Sequence, residues 1–247
     1  MALLEQSNHK ERVMPFLAIV QADLGRLFKN RITYGWLIVG IFLQVIRVLS
    51  APAITGTSII IVQGLTDFIY IWSMLIIGIS ASAVSSETGE LADSIMSKSV
   101  KRYDYIFAKF TSRVIYVMTI YLAITAVLVG IALRLMDNNH EVAGLVVTIL
   151  FVALALIMQI VIGVTLSTLF SNTVISIILL LILWYSMLIL FPIIDLGFLA
   201  PSDLMIQLEN VIQGVWSGEE WKTSAGYTLI TTVSIVLTTA YFSSKDL

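Results

Sequence analysis

Six apolar stretches follow one another along this chain, at residues 32–49, 65–84, 114–135, 142–169, 174–196 and 227–242, and they leave few folds open. A helix needs about 20 predominantly apolar residues to cross a bilayer, and these segments meet or approach that length. A soluble fold has no place to hide them all. The chain is 58% hydrophobic and 12% charged, with mean hydropathy +0.97, where a soluble domain is roughly 45–50% apolar and about 25% charged. In lipid the outward side chains need not be polar, and each helix satisfies its own backbone. The expected fold is all-α: a polytopic membrane protein with six transmembrane helices in one domain over residues 1–247. The sixth stretch is short and rich in threonine.

Charge placement gives an orientation. Residues 5–12 are polar where a secretion signal would carry its apolar stretch, so 32–49 is expected to insert without cleavage. Basic loops stay in the cytoplasm. With the N-terminus inside, segments 1–31, 85–113, 170–173 and 243–247 hold eleven of the fourteen Lys and Arg residues. Arg47, Arg134 and Lys222 fall at or beyond the outer ends. Both termini are therefore expected in the cytoplasm, and the protein in the cell membrane.

Three polar elements lie between the apolar stretches. Over 15–30, Phe16, Ile19, Val20, Leu24, Leu27 and Phe28 recur at three- and four-residue spacing, with Gln21, Asp23, Arg26 and Lys29 on the other side. This reads as an amphipathic helix in the plane of the interface, or else one packed on a soluble neighbour. The loop 85–113 mixes Glu87, Glu90, Asp93 and Asp104 with Lys98, Lys101, Arg102 and Lys109, and carries a small apolar stripe of Leu91, Ile95 and Met96. A short helix of that kind is a docking surface, and a solvated connector is the plain alternative. The outer segment 197–224 opens a short helix at Pro201-Ser202-Asp203 and adds Trp216 and Trp221, suited to the bilayer surface.

Most reaction chemistry is missing. There is no cysteine, and the two histidines, His9 and His140, lie in different polar segments, so no metal site is expected. No G-x-x-x-x-G-K-[ST], H-E-x-x-H or G-x-S-x-G occurs. The chain is not expected to be an enzyme by itself. Gradient-driven carriers place ionisable groups deep in their spans. Here Gln44, Gln159, Ser73, Ser80 and Thr165 are uncharged, while Arg47 and Asp67 fall toward the outer ends of adjacent spans and are candidates to pair. Glycine-flanked half-helices are not evident. Energy from a separate subunit is the better expectation.

At the 85–113 loop the residues resemble a known family. Glu87-Thr88-Gly89-Glu90-Leu91, Ile95-Met96-Ser97, Val100-Lys101-Arg102 and Lys109 resemble the permeases of type-2 ATP-binding-cassette (ABC) transporters, with Ser99 where proline is usual and Glu90 where threonine is usual. Gly163 to Asn172 is similar to that family's Gly-x-x-x-Ser-x-x-Phe stretch, Leu199-Ala200-Pro201-Ser202 to its outer proline step, and Tyr241 to Leu247 to its aromatic-then-charged tail.

The resemblance implies a permease, of the exporter kind, paired with a second copy or homologue and driven by a separate ABC ATPase. That partner would hold ATP and Mg, with no cofactor in this chain. Residues 87–96 would form the coupling helix, with Glu87, Gly89, Glu90, Leu91, Asp93, Ile95, Met96, Lys101 and Arg102 at the ATPase contact. The interfacial helix, through Phe16, Val20, Leu24, Leu27 and Phe28, would brace it. Tyr70, Trp72, Trp184 and Tyr185 are candidates to line a pathway, and simple packing is their other reading; Met74 and Met187 belong with them. Pro192 is expected to kink the fifth span, with Asp195 just beyond. A membrane anchor passing force to an extracytoplasmic protein and a gradient-driven carrier are the alternatives. No nucleic-acid partner is expected.

Overall fold

The computed structural model describes residues 2–52, 55–87 and 102–244. Among these residues the fold is helical and no strand forms. Helix α1 is Ala2–Phe28 and α2 is Arg31–Ser50. Two shorter helices follow, α3 at Thr57–Tyr70 and α4 at Ser73–Ala81, then a 3-10 turn at Ser85–Glu87. Helices α5 (Arg102–Leu135), α6 (Val142–Leu169) and α7 (Thr173–Ile189) come next. Helix α8 (Pro201–Val211) and α9 (Glu219–Ser244) complete the chain.

Five units are long and apolar enough to cross a membrane: α2, α3 with α4 as Thr57–Ala81, α5, α6, and Glu219–Phe242 of α9. Helix α7 is apolar but shorter. The protein is a multi-pass membrane protein. Helices α5 and α6 stand at its centre. Helices α1 and α2 pack on α5, while α4, α7 and α9 pack on α6, and α3 bridges the two groups. Helix α8 lies across one end against α3 and α6.

Local chemistry places the helix ends. Asn30 and Asn172 are N-caps: Asn30 Oδ1 accepts from Ile32 N at 3.0 Å, and Asn172 Oδ1 from Val174 N at 2.9 Å. Pro201 occupies the first turn of α8, where its missing N–H costs nothing. Glu220 folds back to accept from the backbone N–H groups of Ser217 and Gly218 at 3.1 and 2.7 Å, closing the start of α9.

Several expected boundaries move. Helix α1 is continuous through Pro15 and begins well before residue 15. The fifth apolar stretch stops being helical at Ile189, because the residue before Pro192 disfavours the helical conformation. The chain turns there, and Asp195 takes φ 59°, a left-handed conformation that a short polar side chain tolerates. The last helix starts at Glu219 rather than 227.

The largest departures concern the second and third stretches. The second span starts at Thr57, well before residue 65, because Thr57, Ser58 and Gly64 are buried against neighbouring helices. The third helix starts at Arg102, so much of the expected loop 85–113 is helix. Tyr105, Ile106, Ala108 and Phe110 between its charges are buried, and they carry the helix back past residue 114.

Candidate functional site

A buried ionic joint forms where α1, the Ser85–Glu87 turn and the start of α5 meet. Lys109 Nζ donates to Glu87 Oε1 at 2.7 Å and to Asp23 Oδ1 at 3.3 Å. Arg113 Nη1 lies 3.1 Å from Asp23 Oδ2, and Ser112 Oγ donates to the same oxygen. Tyr105 donates its hydroxyl to Glu87 Oε2 at 2.7 Å, and its ring lies under the Lys109 ammonium, 5.4 Å from centroid to nitrogen. The side chains of Lys109, Arg113 and Asp23 are only 3%, 3% and 4% exposed. Arg26, on the exposed rim, reaches Glu87 Oε1 at 3.4 Å.

The four charges balance, two acids against two bases, so Asp23, Lys109 and Arg113 tolerate burial together with half-buried Glu87. Removing one member strands its partners at a cost of about 3–5 kcal/mol. The satisfaction is incomplete: Arg113 Nε has no acceptor among the described residues. A cavity of about 220 Å³ opens beside the joint, between Ile19, Ala22 and Asp23 on one wall and Glu87, Tyr105 and Lys109 on the other.

The joint reaches beyond three elements. Tyr105 stacks on Phe242 near the end of α9, with centroids 6.1 Å apart. Ser167, at the end of α6, accepts from the backbone N–H groups of Val84 and Ser85, each at 2.9 Å, and so holds the turn that carries Glu87. Ser85 Oγ shares a 2.9 Å hydrogen bond with Thr173 Oγ1 at the start of α7. A Cβ added at Gly163 would stand 2.2 Å from Ser80 Oγ, so glycine there lets α4 lie directly on α6. The residues of the Gly163–Ser167 motif thus act as packing and cap.

A second polar site lies between α2 and α3. Arg47 Nη2 donates to both oxygens of Asp67, at 2.8 and 2.7 Å. Buried Gln44 donates to Asp67 Oδ2 at 3.2 Å from behind. Just past Asp67 the span breaks. The N–H groups of Ile71 and Trp72 both reach the Asp67 carbonyl, at 2.8 and 2.9 Å, the second spanning five residues as in a π-type turn. Neighbouring carbonyls take side-chain donors instead. Trp184 Nε1 donates to Ile69 O at 3.2 Å, Tyr185 to Tyr70 O at 3.2 Å, and Gln159 to Ser73 O at 3.3 Å. Non-helical backbone at membrane depth persists where such donors satisfy it. The break therefore exists without the flanking glycines that a sequence search looks for.

The sequence-derived candidates are distributed as follows. Glu87 belongs to the joint, and Arg102 opens α5. Gly89, Glu90, Leu91, Asp93, Ile95, Met96 and Lys101 lie outside the described residues. On α1, Val20 is buried, and Phe16, Leu24, Leu27 and Phe28 are half-buried. That face packs on α5 within this chain. Asp23, expected on the polar side, is buried on the packed face, drawn in by Lys109 and Arg113. Those two bases were expected in a cytoplasmic loop and are instead helical and buried. Trp72 and Trp184 are buried, Tyr185 is half-buried and Tyr70 is exposed, all around the break in the second span.

The sequence offered one signal for the missed residues. Asp23 shares the spacing of Phe16, Val20 and Leu27, so it interrupts an apolar stripe. Tyr105, Lys109, Ser112 and Tyr116 likewise share one face of α5. A charge inside an apolar stripe requires a partner, and here each supplies the other's. No family model matches the sequence, and no curated protein is significantly similar to it.

Proposed function

We propose that this chain is the membrane-spanning permease subunit of an ABC exporter, with six spans, both termini in the cytoplasm and ATP hydrolysis in a separate subunit. The observation that carries the reading is the buried joint. It locks the N-terminal helix to the third long helix at the point where residues 88–101 leave the second span. A chain without an ATP site must receive force through a cytoplasmic surface, and that segment and α1 supply one. A push on the segment reaches Glu87 directly. From Glu87 it passes through Lys109 to Asp23 of α1 and to α5, and through Ser167 to α6.

The orientation rests on the basic residues that surround the joint, and the α7 crossing on the even span count that this orientation requires. Two permeases, identical or homologous, would enclose the pathway between them, with the bilayer as solvent. A gradient-driven carrier is the second reading, and the broken second span beside an ion pair favours it.

The test is purification with copurifying subunits in mild detergent, followed by ATP hydrolysis and transport in liposomes. The proposal expects hydrolysis that disappears when the partner's ATP site is disabled. It expects the Glu90→Lys chain to insert and assemble while cargo no longer alters hydrolysis. Transport by the lone chain, driven by an ion gradient and abolished by an ionophore, would overturn it in favour of the carrier.

A further inference from the structure

The α2/α3 groove has the build of a ligand site, and it stands whether or not an ATPase drives the chain. Its walls are one stripe from each helix: Leu43, Ile46, Arg47 and Ser50 on α2, and Gln63, Thr66, Asp67 and Ile71 around α3. The groove is open and encloses about 540 Å³. Asp67 stands on the order of 15 Å along the span from Thr57, by helical rise, and Arg47 lies in the last turn of α2, so the groove opens toward one end of the helix pair.

Three facts separate it from the ionic joint. First, the Arg47 side chain is 24% exposed and Asp67 10% exposed, so the guanidinium faces the opening and the carboxylate stands behind it. Second, Arg47 spends only Nη2 on Asp67, and its Nε and Nη1 have no hydrogen-bond partner among the described residues. Asp67, by contrast, accepts from Arg47 and Gln44 together. Third, exposed Gln63 and half-exposed Thr66 add polar groups beside the guanidinium, whereas Ile46 and Ile71 are exposed apolar wall. Polar and charged groups within apolar spans face protein, water or a polar ligand.

We infer that this groove binds the head of an anionic amphiphile, its carboxylate or phosphate oxygens on the free donors of Arg47 and its chain along Leu43, Ile46 and Ile71. Both forks of a guanidinium include Nη2, which Asp67 holds, so the head's oxygens meet Nε and Nη1 through separate single hydrogen bonds. Asp67 and Gln44 are positioning residues: they fix the guanidinium and keep the empty groove neutral. The Gln63 amide takes an oxygen that Arg47 leaves, while the hydroxyls of Thr66 and Ser50 already donate to Val62 O and Arg47 O.

The test uses the full chain in nanodiscs of neutral lipid, without any ATPase. Photoreactive fatty acid, phosphatidic acid and diacylglycerol of matched chains are cross-linked, and the labelled peptides are mapped. Expected is labelling at 43–50 and 63–71 by the two anionic probes, at least about tenfold above diacylglycerol. The double variant Arg47→Gln with Asp67→Asn, which strands neither charge, should fall to the diacylglycerol level. Equal labelling by all three probes on the wild-type chain overturns the inference even where the variant does not fold. So does unchanged labelling of a folded double variant, or a groove closed to every probe by a second copy. Lipids retained through purification identify the source. A phosphate-headed lipid held by the wild type and lost from the double variant marks a resident membrane lipid. A probe displaced only by free amphiphile marks cargo. Loss of this site leaves the ATPase reading untouched, because no coupling residue takes part.

Discussion

The protein carries two ionic clusters built from the same chemistry, and they do opposite things with it. At the joint, buried Asp23, Lys109 and Arg113 and half-buried Glu87 close on one another across α1, the Ser85–Glu87 turn and α5. In the groove, one pair sits at an opening with half of its guanidinium unspent. The difference lies in how many elements supply the partners. Three elements supply the partners of the joint, so each charge finds its counter-ion inside the protein even beside the small cavity. Only two helices flank the groove, and the third side is missing. On the proposed reading, the closed network is the one that passes displacement between elements, and the open one is the one that takes a ligand.

The comparison breaks first at Lys109. Lys109→Met removes the ion shared by Asp23 and Glu87 and leaves one buried and one half-buried carboxylate without it. We expect a loss of about 3–5 kcal/mol, read as thermal unfolding in detergent. Adding Asp23→Asn should restore part of it. A loss below about 1 kcal/mol would mean that water reaches the joint and that it is as open as the groove.

Next is the turn that holds Glu87. Ser167→Ala deprives two backbone N–H groups of their acceptor. Two orphaned donors cost about 1–3 kcal/mol each when buried, and the end of the second span should loosen, with faster amide exchange at Val84 and Ser85. Exchange unchanged at both would remove Ser167 from the joint.

At the groove, Arg47→Gln strands Asp67 but leaves it beside an opening. The expected loss is about 1–2 kcal/mol, since interhelical polar contacts in membranes are worth little more. The double variant with Asp67→Asn should recover most of it. Non-recovery would show that the pair works through a third group.

The smallest effect is expected at the joint's rim. Arg26 is exposed and reaches Glu87 at 3.4 Å, so Arg26→Ala should change stability by less than about 0.5 kcal/mol. A larger change would extend the dry part of the joint to its edge.

Much of the architecture was legible before any coordinates. Long apolar stretches must become helices in lipid, because no other backbone arrangement satisfies itself there. The fourth stretch needed no adjustment, since its polar borders are abrupt: Glu141 at one end and the Ser171-Asn172 turn at the other. Pro192, expected to kink the fifth stretch, instead lies beyond the end of its helix, and the caps at Asn30 and Asn172 were passed over in the sequence although their cause is local. The pairing of Arg47 with Asp67 was also foreseeable, as two opposite charges on adjacent spans.

What the tertiary structure alone decided follows from one physical limit. In a lipid solvent both faces of a helix are apolar, so hydrophobic periodicity no longer tells inside from outside. Lys109 and Arg113 read as loop bases because charge ordinarily marks solvent. Only the approach of α1, carrying Asp23, makes burial affordable for them. The break in the second span has no local mark either, since Trp184, Tyr185 and Gln159 arrive from distant positions to satisfy its carbonyls. The sequence by itself determined that this chain lives in a membrane and where most of its helices run. Which charges closed on each other, and which were left facing a groove, depended on partners brought from other helices.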